Sequence, residues 1–137
     1  MNTFIKSKKR LQACGIKPSL QRMAVMEYLM VNKTHPTADI IFNDLHPSIP
    51  TLSKTTVYNT VKLLAEQGAI LSIDIDGKNQ RYDGDTSQHA HFRCKECSSI
   101  HDIPISNMQV SHSGKNADSF VITETQLYYK GLCSKCK

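Results

Sequence analysis

The chain has 137 residues, 39% of them apolar and 21% charged, which suits one ordinary domain or two small ones and a globular rather than a disordered chain. No apolar run approaches the roughly 20 residues of a membrane-spanning helix, and no apolar stretch with a cleavage site follows the basic N-terminus. Membrane and secreted classes are disfavoured, so a cytoplasmic protein is expected. Lys plus Arg is 17 against 12 for Asp plus Glu, a net charge of +5, and the excess sits at the front. Residues 1–22 hold Lys6, Lys8, Lys9, Arg10, Lys17 and Arg22 with no acid. Such a segment points to a polyanion partner, nucleic acid first, or more plainly to a solvated basic helix.

The first half reads as helices. A basic helix over 3–14, carrying Phe4, Lys8 and Leu11, ends near Gly15. Ser19 caps a second helix on which Leu20, Ala24, Tyr28 and Val31 recur at helical spacing, backed by Met23, Met26 and Met30. His35-Pro36 breaks the chain, and Thr37 caps a short helix through Ile40, Ile41 and Leu45. After Pro47 and Pro50, Thr51 or Ser53 opens a fourth helix that runs to about Gln67 and stops at Gly68.

At 100° per residue, Val57, Val61 and Leu64 share one stripe of the fourth helix. Thr55, Asn59 and Lys62 point away from it, with Thr56 and Tyr58 on the flanks. A face of this chemistry can reach base edges and phosphates in a major groove, although an ordinary exposed face reads alike. The candidate DNA contacts are Lys17, Arg22, Thr55, Tyr58, Asn59 and Lys62.

Beyond Gly68 the period changes. Residues 69–73 and 80–82 flank a polar turn over 74–79 and predict a β-hairpin. Helices followed by a hairpin give a winged helix-turn-helix with an extra basic helix in front. Residues 84–90 read as a linker; His91–Cys94, Ile100–Ile105 and Ser119–Leu132 are strand candidates around a polar stretch, 106–118.

Four of the five cysteines form two CxxC pairs, Cys94/Cys97 and Cys133/Cys136, with 35 residues between them. Each short loop can deliver two thiolates to one ion, and the long gap lets a folded segment close a tetrahedral zinc site that staples two strands of a sheet. A redox CxxC is the rival, disfavoured by the second pair and by the lack of a βαβ pattern. Cys14 reads as a small buried apolar residue. Three histidines keep company with carboxylates: His35, His89 and His91, with Asp83 and Asp102. His89 and His91 are spaced to share one face of a strand. Such a nitrogen and oxygen set suits Fe(II), Mn(II) or Zn(II) if the fold gathers it. His101 and His112 read as exposed or supporting residues.

The chain resembles the ferric uptake regulator (Fur) family. The resemblance is carried by His35-Pro36-Thr37-Ala38-Asp39, by Ser53–Thr60 (Ser-Lys-Thr-Thr-Val-Tyr-Asn-Thr) and by Arg81-Tyr82-Asp83. It continues through His89-Ala90-His91-Phe92-Arg93-Cys94 and Gly131-Leu132-Cys133-Ser134-Lys135-Cys136, all in family order. The resemblance implies an α+β chain: a winged-helix DNA-binding domain over 1–83, a hinge over 84–90, and a small α/β dimerisation and metal-binding domain over 91–137. It implies a homodimeric, metal-dependent repressor acting on double-stranded operator DNA with an inverted repeat, and not an enzyme.

Within the family, the two Asp ligands and Asn59 resemble the peroxide-sensing PerR branch. That branch implies structural Zn(II) on the four cysteines and regulatory Fe(II) or Mn(II) on His35, Asp83, His89, His91 and Asp102. It also implies that peroxide adds oxygen to His35 or His89 and so releases the repressor. Regulation by iron or zinc abundance, without oxidation, is the alternative; an enzyme would need a spare acid or base and an open metal site. Many members carry a His eight residues before the third cysteine; Thr125 stands there, beside Glu124, so no third metal site is carried over.

Overall fold

Asn2, Ser19, Thr37 and Ser53 each accept a backbone N–H two or three residues further on, and each begins a helix. These helices are α1 (Thr3–Ala13), α2 (Leu20–Val31), α3 (Ala38–Leu45) and α4 (Lys54–Glu66). The computed structural model describes residues 2–75, 77–87, 89–105, 119–121 and 125–137. It divides into two compact units, Met1–Ser87 and Gln88–Lys137. The polar stretch over 106–118, with His112, lies outside the described residues, as does Glu124.

In the first unit, the four helices precede a hairpin of β1 (Leu71–Ile73) and β2 (Arg81–Asp83), paired antiparallel with Leu71 opposite Asp83. The core joins Leu11 of α1, Met23, Val25, Met26 and Leu29 of α2, Ile41 of α3, and Val57, Val61 and Leu64 of α4. The buried stripe of α4 is the predicted one. That of α2 is not: Leu20 and Val31 are 75% and 59% exposed. Both sides of α2 are apolar, so spacing could not choose between them; packing against α1 and α4 does. Cys14 is only half-buried, at the C-cap of α1.

Arg10 is one of the six bases of the N-terminal segment. Its Nη1 donates to the carbonyls of Ala69 (3.1 Å) and Gly84 (2.9 Å), tying α1 to both ends of the hairpin. Gly84 lies so close to α2 that a Cβ there would sit 2.5 Å from the Leu29 carbonyl oxygen.

The second unit is a sheet of order β4-β3-β5: β3 (His89–Cys94), β4 (Ile100–Pro104) and β5 (Tyr128–Gly131). β4 pairs antiparallel to β3 and β5 parallel to it. β3 starts at His89 rather than His91, because Pro104 and Ile103 of β4 supply partners for His89 and Ala90. Of the expected strand over 119–132, the described part is strand only from Tyr128 to Gly131.

Candidate metal centres and nucleic-acid interface

The parallel pairing of β3 with β5 sets Cys94 opposite Gly131, so the chain leaving β5 reaches Cys133 two residues later beside the end of β3. The N–H of Lys95 donates to the Gly131 carbonyl at 2.8 Å, and the N–H groups of Cys97 and Cys133 both point at Cys94 Sγ, 3.5 Å away. Ser98, at φ 62°, turns the first CxxC back into β4. The four sulfurs lie within 4.8 Å of one another, and all four cysteines are free thiols.

Cys97 Sγ and Cys133 Sγ are 3.8 Å apart. That is far too long for a disulfide, and it is about the 3.8 Å between corners of a tetrahedron with 2.3 Å metal–sulfur bonds. The electrostatics agree. Backbone N–H groups from Cys97 and Cys133 hold Cys94 down to about 6. The hydroxyl of Ser99, 3.1 Å from Cys97 Sγ, lowers that thiol too. Cys136, hydrogen-bonded to Cys133, is pushed up to about 12. Cys94 and Cys97 are drawn toward the thiolate while Cys136 is held as a thiol, and a dication is the group that would draw Cys136 over as well. The cysteines thus fit a metal with four thiolate ligands. Ser99 gave no signal in the sequence, since only the fold sets it against Cys97. His101, its ring nitrogen 2.9 Å from Ser99 Oγ, is exposed.

Histidines and carboxylates gather within each unit. In the first, His35 adopts φ 54°, the left-handed region that costs most side chains 1–2 kcal/mol or so. Two bonds from β2 hold it there: the Arg81 guanidinium donates to the His35 carbonyl (3.2 Å) and the Tyr82 N–H to the Pro36 carbonyl (3.0 Å). The result sets His35 Nε2 3.4 Å from Asp83 Oδ2, with both residues buried. The other carboxylate oxygen of Asp83 accepts the Asp85 N–H at 2.9 Å.

In the second unit, His89 and His91 fall on one face of β3 and Asp102 pairs opposite His91. Their Nε2 atoms are 2.9 Å apart, and each lies 3.4 Å from Asp102 Oδ1. Ligand atoms about 2.1 Å from a shared ion stand roughly 3.0–3.4 Å from each other, so each set has the separation that one cation requires. The donors are hard to borderline, which suits first-row divalent metals rather than a soft ion.

On α4, Thr55, Tyr58, Asn59 and Lys62 are exposed, as the helical period predicts. Lys17, Ser19 and Arg22, at the start of α2, line an open cleft with Thr56, Asn59 and Leu63 of α4. The Arg22 guanidinium donates to the Lys17 carbonyl (2.8 Å), so the two bases form one cationic corner beside the exposed helix. Among the described residues no helix is long and apolar enough to cross a membrane.

A winged helix, a four-cysteine cluster and paired His/Asp sets together have the make-up of a metal-responsive regulator. The chain belongs to the ferric uptake regulator family, whose model matches residues 13–130. Peroxide-responsive repressor PerR of Staphylococcus epidermidis is 30% identical over 128 residues, covering 93% of this chain and 85% of that one. The solved PerR of Streptococcus pyogenes, described in terms of peroxide sensing and gene regulation, aligns at a TM-score of 0.54 with 25% identity, over 100% of this chain and 95% of that one. The ferric uptake regulator of Pseudomonas aeruginosa with manganese shares the fold at a TM-score of 0.69 and 15% identity, over 93% and 98% of the two chains.

Proposed function

We propose that this protein is a homodimeric repressor of transcription that binds an inverted-repeat operator when metal-loaded and leaves it when hydrogen peroxide oxidises a ligand histidine. The observation that carries the reading is the pair of preformed sets, His35 with Asp83 and His89 with His91 and Asp102, in a chain resembling peroxide-responsive repressors. His35, Asp83, His89, His91 and Asp102 would hold a regulatory Fe(II) or Mn(II), and Cys94, Cys97, Cys133 and Cys136 would hold a Zn(II) that ties the sheet of the second unit together. Lys17 and Arg22 supply phosphate contacts, and Thr55, Tyr58, Asn59 and Lys62 face the major groove.

Ferrous iron, when bound, supplies the one-electron chemistry that turns peroxide into an oxidant at the site. His35 and His89 are the imidazoles that would hold such an ion and be exposed to that oxidant. An imidazole that has gained oxygen is a poorer ligand, so the metal-loaded, DNA-binding state is no longer favoured.

The test loads the zinc-containing protein anaerobically with Fe(II), adds a small excess of hydrogen peroxide, and maps peptide masses beside operator binding. One added oxygen on the His35 or His89 peptide, together with lost binding, supports the proposal. Unmodified peptides and binding that follows free metal make the protein a regulator of iron or zinc uptake instead.

A further inference from the structure

Tyr58 stands on the exposed face of α4 with 47% of its surface open, yet its hydroxyl is not free to choose a partner. It donates to Asp39 Oδ1, in the first turn of α3, at 2.9 Å. The same carboxylate oxygen lies 3.8 Å from Lys54 Nζ, at the start of α4. A phenol has one proton. With that proton on Asp39, the Tyr58 oxygen can only accept.

The chemistry of DNA then separates two roles. Phosphate oxygens are acceptors, so Tyr58 cannot hydrogen-bond a phosphate without leaving Asp39, and the carboxylate itself repels a phosphate. Base edges in the major groove do offer donors, the amino groups of adenine and cytosine, and the thymine methyl suits an aromatic ring. Resting on the DNA-binding reading above, we infer that Asp39 is a positioning residue for sequence recognition: it fixes the Tyr58 hydroxyl so that this side chain reads base edges and is withheld from the phosphate backbone. Lys54 offsets the charge that Asp39 brings to the surface. The titration follows the same contact, since the hydrogen bond to Asp39 is the leading cause that raises the Tyr58 phenol.

The experiment uses the full-length, manganese-loaded protein, a duplex it selects from a randomised inverted-repeat library, and a scrambled duplex of equal length. Wild type, Asp39→Ala, Asp39→Asn, Tyr58→Phe and the Asp39→Ala/Tyr58→Phe double variant are compared by fluorescence anisotropy. Asp39 is exposed, so the variants keep the fold, which circular dichroism checks. Asp39→Ala should lower the selected-to-scrambled affinity ratio about 10-fold, the scale of one well-made base contact. The double variant should lose no more than Tyr58→Phe alone, because both changes break one contact. Asp39→Asn, which keeps an acceptor oxygen, should restore most of the ratio.

The Tyr58 phenol, read as the wild-type minus Tyr58→Phe difference in ultraviolet titration, should move down in Asp39→Ala. Full discrimination by Asp39→Ala, or losses that multiply in the double variant, would overturn the inference. A wild type that treats both duplexes alike overturns the DNA-binding reading and the base-reading role with it. The phenol titration still decides separately whether Asp39 holds Tyr58.

Discussion

Gly84→Ala is the sharpest test of how the first unit is built. The new methyl would stand 2.5 Å from the Leu29 carbonyl oxygen, 2.7 Å from its carbon and 3.1 Å from the Met30 nitrogen. All three are backbone atoms of α2, so no side chain can swing aside, and contact distances nearer 3.5 Å must be recovered by moving the β2 exit. Overpacking of this kind costs about 1–3 kcal/mol. The same movement pulls the Gly84 carbonyl from Arg10, now at 2.9 Å, and a hydrogen bond to a charged group contributes roughly 1.5 kcal/mol at the low end.

The total is about 2.5–4.5 kcal/mol, and each kcal/mol lowers Tm by roughly 4–8 °C in a unit of this size. Thermal unfolding followed by circular dichroism at the helix band reports on this unit, because the α-helices among the described residues, α1 to α4, all belong to it. A fall of about 10 °C or more is expected. A Tm within about 2 °C of wild type would show that α2 yields easily and would refute the reasoning. Because Asp83 directly precedes the displaced residue, weaker metal-dependent DNA binding should accompany the loss.

Cys94→Ser should lose bound zinc and unfold the second unit, since four-ligand zinc sites contribute on the order of 10 kcal/mol to folding; a stable dimer with normal zinc content in atomic absorption would count against this. Asp102→Ala should keep that zinc but weaken manganese binding by about 10-fold or more, as measured by calorimetry, and abolish metal-activated operator binding. Unchanged operator affinity would remove Asp102 from the regulatory set. Lys17→Ala should lower affinity for all sequences alike and reduce the salt slope by about 1, whereas Asn59→Ala should mainly reduce discrimination.

Local chemistry was legible in the sequence where one side chain decides the outcome. Ser19, Thr37 and Ser53 cap their helices as their positions imply, and the stripe of Val57, Val61 and Leu64 is buried because Thr55, Asn59 and Lys62 make the opposite face of α4 polar. The α2 stripe was not legible, for Leu20 and Met23 are both apolar and only the neighbouring helices distinguish them. The cysteine spacing pointed to a shared ion, but the register that sets Cys94 opposite Gly131 is a property of the sheet. Arg10 shows the same limit: a base among bases in sequence, it is committed to two carbonyls 59 and 74 residues away.

The two kinds of metal set make different demands on the chain. The cysteine cluster gathers thiols of divided character, Cys94 held down by backbone N–H groups and Cys136 pushed up by its hydrogen bond to Cys133, and a shared cation would let them act together as ligands. The histidine and carboxylate sets are assembled by the backbone beforehand: Arg81 and Tyr82 hold the left-handed His35 loop, and strand pairing aligns His91 with Asp102. Little of the binding free energy of an ion is then needed to order its ligands within either unit. In the proposed mechanism that free energy instead goes into coupling one set to the other, and a ligand shifts an equilibrium only by its differential affinity for the two states. On that proposal a regulatory ion would be lost when one imidazole changes, whereas loss of zinc from the cysteines would cost the folding of the second unit.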